Sequence, residues 1–308
     1  MQAPSDLYDL VPDPSAGDPR SAVLLVTLGT FIDAGQVQKL LSDHLIETGD
    51  SAIVATFDVD QLFDYRGRRP PMVFDSNRWA EYQAPSMAVH RLIDRDDEPY
   101  YLLSGVEPDF QWERVVAAIR QLVVELQIRL VVTIHGVPMG VPHTRPVGMT
   151  AHATDESLID DARSPFGRVQ VPGSLPALLE LRLGEAGHKA AGFAIHVPHY
   201  LAASEFSEGA LTALNAVVDL TGLNLPNDAL VSKVEVNRRA IAAEIDGNDE
   251  VRDVIAGLEQ QYDAFVQGQD LPNLWAPDAS EIPSADQLGA ELEDFLRNVS
   301  EDEDDGRG

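Results

Sequence analysis

Ala22-Val-Leu-Leu-Val-Thr-Leu28, followed by Gly29-Thr-Phe-Ile-Asp-Ala-Gly35, decides how this chain is to be read. An apolar run of that length, rich in valine and leucine and closed by a glycine, is the mark of a buried strand. Behind it Val37, Leu40, Leu41 and Leu45 recur at helical spacing, and Asp33 is placed to cap that helix. Ser51 to Phe57 reads as the next strand, so the opening is a strand-helix-strand unit with a parallel pair expected. An α/β sheet built this way gathers its ligands outside the C-terminal ends of its strands.

Met87 to Ile93 and Tyr100 to Ser104, joined by Asp-Arg-Asp-Asp-Glu-Pro, read as a hairpin, which makes the sheet mixed. Val115, Val116, Ile119, Leu122, Val123 and Leu126 form the clearest helical stripe. Arg129 to Ile134, Gly148 to Thr154 and Lys189 to Val197 read as further strands, and Ser174 caps a helix with Pro176 in its first turn. Asp58 to Tyr82, with Arg66, Arg68 and Arg69, shows no sustained periodicity and reads as a long excursion from the sheet, of a functional or interfacial kind.

After Leu225 only helix signals remain: Asp228 to Ile245, a break at Asp246-Gly247-Asn248, then Asp249 to Gln267. The expected organisation is an N-terminal extension (1–20), an α/β/α domain (21–224), a helical hairpin (225–268), and an end region (269–308). That last region holds a linker, a short helix over Ala285 to Val299, and an acidic tail from Ser300 that is expected to be disordered.

With 308 residues and 44% hydrophobic content the chain can bury a full core. Its lack of cysteine closes disulfides, thiolate nucleophiles and cysteine-ligated zinc. A net charge of −29 argues against nucleic acid, which needs a basic footprint, and toward a protein partner with a basic surface. No apolar run is long enough to span a membrane and the N-terminus is polar and proline-rich, so a cytoplasmic protein is expected. Lys39, Lys189 and Lys233 are its only lysines and no Walker pattern occurs, so no cofactor is expected.

The candidate chemistry lies after the strands. Gly136-Val-Pro-Met-Gly-Val-Pro-His-Thr-Arg-Pro146 is a loop stiffened by three prolines, and it presents His143 and Arg145. Glu107 follows another strand, and Glu107, His143 and Arg145 form the candidate catalytic set: an acid–base pair and an anion-binding guanidinium. Thr27, Gly29, Asp33, Asp109 and Thr144 are candidate ligand-binding residues at the same edge. For Asp33 and Asp109 the favoured reading is a helix cap. His135, His143, His196 and His199 suggest a metal, but the spacing of the last pair points their side chains to opposite faces of a strand, and no metal site is expected.

Four ordered motifs carry a family resemblance: Thr27 to Gly35, the Arg-Gly-Arg-Arg-Pro-Pro run at 66–71, Ser104 to Arg114, and Gly136 to Pro146. Across most of residues 20–265 the chain resembles the bacterial, high-GC actinobacterial-type branch of the proteasome assembly chaperone 2 family. The resemblance implies a three-layer α/β/α fold similar to purine nucleoside phosphorylases and related hydrolases, and homo-oligomers with trimers among them. It also implies a non-enzymatic assembly or interaction role with a proteasome-related partner. A phosphorylase- or hydrolase-type enzyme using the strand-end loops is the alternative.

Overall fold

The computed structural model describes residues 3–11, 22–29, 33–159, 168–246 and 249–266. The expected linker, the helix over Ala285 to Val299 and the acidic tail lie outside these residues. In chain order the strands are β1 (Tyr8–Leu10), β2 (Val23–Gly29), β3 (Ala52–Phe57), β4 (Met72–Asp75), β5 (Arg78–Tyr82), β6 (Met87–Ile93), β7 (Pro99–Val106), β8 (Leu130–Met139), β9 (Met149–Ala153) and β10 (Ala190–Pro198). The helices are α1 (Val37–Thr48), α2 (Trp112–Glu125), α3 (Leu175–Glu185), α4 (Ser207–Thr221), α5 (Asp228–Asp246) and α6 (Asp249–Val266).

Eight strands make one mixed sheet in the order β1-β3-β6-β7-β2-β8-β10-β9. Its middle, β7, β2, β8 and β10, is parallel, and the strands on either flank are antiparallel. Parallel strands are buried on both faces, so alternate residues of β2 feed two different cores. Leu24, Val26 and Leu28 meet α2 and α3 through residues such as Ile119, Leu122 and Leu179. Val23 and Leu25 point the other way, to Val37 and Leu41 of α1 and Leu214 of α4. Helices therefore cover both sheet faces, and the hairpin expected from Met87 onward stands as β6–β7.

Sequence and structure differ at four places. β2 and β3 share a direction but are not neighbours, because the β6–β7 hairpin inserts between them. β7, with Leu102 and Leu103 fully buried, takes the two-sided central position, whereas β3 has three of its six residues exposed and suits the flank. Residues 8–10, expected to precede the domain, supply the sheet's edge strand β1, held by the fully buried Leu7 and by Tyr8 against Phe57. The excursion from Asp58 to Tyr82 contains a two-stranded ladder, β4–β5, apart from the main sheet. Finally, α4 was not expected, although Ala210, Ala213, Leu214 and Val217 are fully buried at helical spacing.

Among the described residues no helix is long and apolar enough to cross a membrane.

Candidate functional site

Because β7, β2 and β8 are parallel, the loops after them open at one edge of the sheet. Asp33 follows β2 there, and its carboxylate accepts hydrogen bonds from the backbone N–H groups of Gln38 at 3.0 Å and Lys39 at 3.4 Å, in the first turn of α1. Asp33 thus serves the free amides of α1 as a cap would, although the N-cap position itself is held by Gln36, in the left-handed region. Burial raises the Asp33 pKa, and these amides, with that of Gly136, pull it back down. Gly136 reaches it only because it lacks a side chain: a Cβ there would lie 2.0 Å from the Ala34 carbonyl oxygen.

The stretch beginning at Gly136 is not all loop. β8 continues to Met139, paired residue by residue with β10 up to Pro198. β2 stops pairing with β8 at Thr133, so Pro138 sits where the strand has a neighbour on one side only, and its missing N–H is tolerated. The loop proper starts at Gly140.

Glu107 is buried, and its carboxylate accepts from the backbone N–H of Leu175 at 2.6 Å, the first residue of α3. Ser174 caps the same helix by accepting from Ala177 N–H at 3.3 Å. Asp109 does not cap α2, whose N-cap is Gln111 in the left-handed region. Asp109 lies three residues before the first turn, and its carboxylate turns instead to the Asp64 N–H at 2.6 Å and to the Arg68 guanidinium at 2.7 Å. Thr27 is buried, with its hydroxyl 3.5 Å from the Leu103 carbonyl, and the Gly29 carbonyl accepts from the Glu107 N–H at 3.1 Å. Both sit within the β2–β7 ladder.

His143 packs edge-on against Tyr200. Its backbone N–H donates to the Tyr200 hydroxyl at 2.9 Å, and that hydroxyl lies 2.8 Å from Nδ1. The hydroxyl proton is free to point at Nδ1, an arrangement that suits a neutral ring with its proton on Nε2. Burial lowers the His143 pKa and so favours the neutral ring, against the pull of Glu208 and Glu259.

Arg145 forks onto α6: Nε to Asp263 Oδ1 at 2.8 Å, Nη2 to Asp263 Oδ2 at 2.7 Å, and Nη1 to Glu259 Oε1 at 3.1 Å. Thr144 donates to the same Glu259 oxygen, and the Tyr262 hydroxyl donates to the Pro146 carbonyl at 3.3 Å. The bond from Arg145 holds the Asp263 carboxyl below its usual range, and Arg145 is raised in turn. The three catalytic candidates thus go to three places: Glu107 to α3, His143 to Tyr200, and Arg145 to α6. Reading the sequence missed Tyr200, Glu259 and Asp263. The signal for the last two was an acidic pair four residues apart on one helix face.

Arg145→Ala is expected to speed amide exchange across residues 249–266 by about tenfold, while β8 and β10 keep their protection. Arg145→Lys should not restore the slow rate, because an ammonium cannot grip a carboxylate bidentately. Unchanged exchange in both variants would mean that the apolar face of α6 alone holds it in place. Among the described residues no group of three or more His, Asp or Glu side chains could hold a metal ion.

The sequence profile of the PAC2 family matches residues 28–245. No curated protein matches the chain. Among solved structures, a Mycobacterium tuberculosis protein of unknown function, Rv2714, is 38% identical with a TM-score of 0.82, over 85% of this chain and 90% of its own. A Corynebacterium glutamicum protein of unknown function is 34% identical with a TM-score of 0.80, over 86% and 99%. The M. tuberculosis proteasome-assembly chaperone homologue Rv2125, 22% identical with a TM-score of 0.68 over 76% and 99%, shares the fold. With a profile match over most of its length and two relatives above 30% identity, this chain belongs to the PAC2 family.

Proposed function

We propose that this chain is a non-enzymatic assembly or interaction protein of the cytoplasm, acting as a homo-oligomer, with a trimer favoured, on a proteasome-related partner. The observation that carries this reading is that the reactive side chains at the sheet edge are engaged in structural bonds. Arg145 is gripped by two carboxylates of α6, and Glu107 accepts from the α3 terminus. A catalytic set needs its members to converge on space for a substrate. In this reading α5 and α6 form a helical hairpin that closes over the strand-end loop. The net charge of −29 selects a partner with a basic surface, through an attraction screened over about 8 Å at physiological salt. Rv2125, which shares the fold, carries the name of a proteasome-assembly chaperone homologue, and the proposal extends that role here.

One observation supports the alternative, a phosphorylase- or hydrolase-type enzyme: the neutral His143 ring beside Tyr200, half-buried at the strand ends. Affinity capture of the tagged protein from its own cells, at low and at high salt, separates the two. Recovery of proteasome subunits that is lost at high salt is the expected result. Turnover of a nucleoside or amide substrate that disappears in His143→Ala would overturn it.

A further inference from the structure

We propose that a groove on the outer side of α2 is a binding site for a small apolar monocarboxylate. The groove has a volume of about 450 Å³, within the range of small-molecule sites. Ala117, Arg120, Gln121 and Val124 form its wall, with Glu125 beside them and His188 contributed by the turn between α3 and β10. Steps of three, four and seven put the first four on one helix face, next to the stripe of Val116, Ile119 and Val123 that packs on the sheet. His188 stands just before β10, so the groove lies toward the N-terminal ends of the parallel strands. His143 and Arg145 follow the other end of β8, at the opposite edge of the sheet.

Arg120 selects the head of the ligand. Its Nε is shut off from solvent and, among the described residues, has no hydrogen-bond partner. A buried donor left unpaired is costly, and the Nε–Nη2 edge of a guanidinium is a fork that matches the two oxygens of one carboxylate. Elsewhere in this chain that edge is used in this way three times. Arg145 donates through it to both oxygens of Asp263, Arg182 to both of Glu113, and Arg238 to both of Glu208. Arg120 presents the same edge inside a groove with no carboxylate of the fold on it, in a chain of 51 acidic against 22 basic residues.

The walls select the rest. Val124 is 66% exposed, and with Ala117 and the methylenes of Arg120 and Gln121 it offers apolar surface beside the fork. Glu125 repels a second negative charge, which restricts the ligand to a single carboxylate. A peptide C-terminus would bring amides that the groove cannot pair, because the backbone groups of α2 are engaged within the helix. A free acid brings none.

Octanoate is the probe. It is expected to raise the melting temperature of the full chain saturably, as a ligand of the folded state does. Octanol, which lacks the charge, and octanedioate, which adds one, should each bind at least about tenfold more weakly by calorimetry. Arg120→Met should weaken octanoate at least about tenfold and leave the melting temperature of the free protein equal or higher, because it removes an unpaired buried donor. Val124→Glu supplies Arg120 with a carboxylate one turn along the helix and should exclude octanoate while far-UV dichroism is unchanged.

Octanoate that binds Arg120→Met as tightly as wild type, or that fails to bind wild type, overturns the proposal. So does a peptide ending in a free leucine carboxylate that binds more tightly than octanoate, which would make the groove a peptide site. A lowered melting temperature of free Arg120→Met would show that the fold itself uses the guanidinium, and would also overturn it.

Discussion

Gly105→Ala is expected to lower stability by about 4 kcal/mol, enough to leave a domain of ordinary stability partly unfolded at 25 °C. Gly105 lies in β7 between Leu28 of β2 and Met87 of β6, at a φ of 131° that L side chains rarely adopt. A Cβ built there would meet the Ser86 carbonyl oxygen at 2.0 Å and the Met87 Cα at 2.7 Å, both backbone atoms fixed by the ladder. Strain and collision therefore add, and neither can be relieved without parting β6 from β7. Gly187→Ala is the control: its φ is 78°, but nothing lies within 4 Å of the new methyl group, so only about 1 kcal/mol of backbone strain is expected. Urea denaturation of the two variants measures the difference. Equal midpoints would mean that the sheet yields at Gly105 and that close approach is not what the glycine serves.

Acidification from pH 6.5 to 4 is expected to destabilise the protein steeply. Burial lowers the pKa of His135 and of His196 from 6.5 to about 4, with His152 adding its repulsion at His135, 6.4 Å away ring to ring. A histidine whose folded pKa lies below its unfolded value binds protons more readily when the chain unfolds. Stability is then complete above pH 6.5 and falls away as pH drops toward 4, by on the order of 3 kcal/mol per ring. His90 and His143 shift the same way through burial and add to the slope. Asp33, raised by burial, acts oppositely, and its contribution grows as it takes up a proton at the acid end of the range. Melting temperatures between pH 7 and 4 test this, and His196→Gln, which keeps a partner for Thr150, should flatten the curve. A melting temperature that stays level over that range would mean that these rings already reach solvent.

What was legible in the sequence followed burial. β2, β8 and β10 are long apolar runs because neighbours and helices enclose them, and α2 declares itself through a stripe pressed on the sheet. The β4–β5 ladder escaped because no residue of it is buried, so it carries no inside-outside contrast with the domain, and its bulge breaks the two-residue alternation. The order of strands also escaped, since adjacency in sequence says nothing about which hairpin wins the centre of a sheet. At the site, the sequence placed the candidate residues after strands, but it did not record their partners. Asp109 reaches back to Arg68, and Arg145 reaches forward to Asp263, 118 positions away; no local pattern records either choice. Asp33 was readable because a cap acts within a few residues of itself.

The position of β2 in the sheet bears on how the chain is made. β2 ends at residue 29, but its two neighbours are β7, completed at residue 106, and β8, completed at residue 139. At about 5 to 20 residues per second, a ribosome takes on the order of 5 to 20 s to produce the stretch between the end of β2 and the end of β8. Neither edge of β2 has a partner until β7 is made, and the second edge stays unpaired until β8 is complete. The centre of the sheet therefore closes only after residue 139 has been made, which places its assembly late in synthesis.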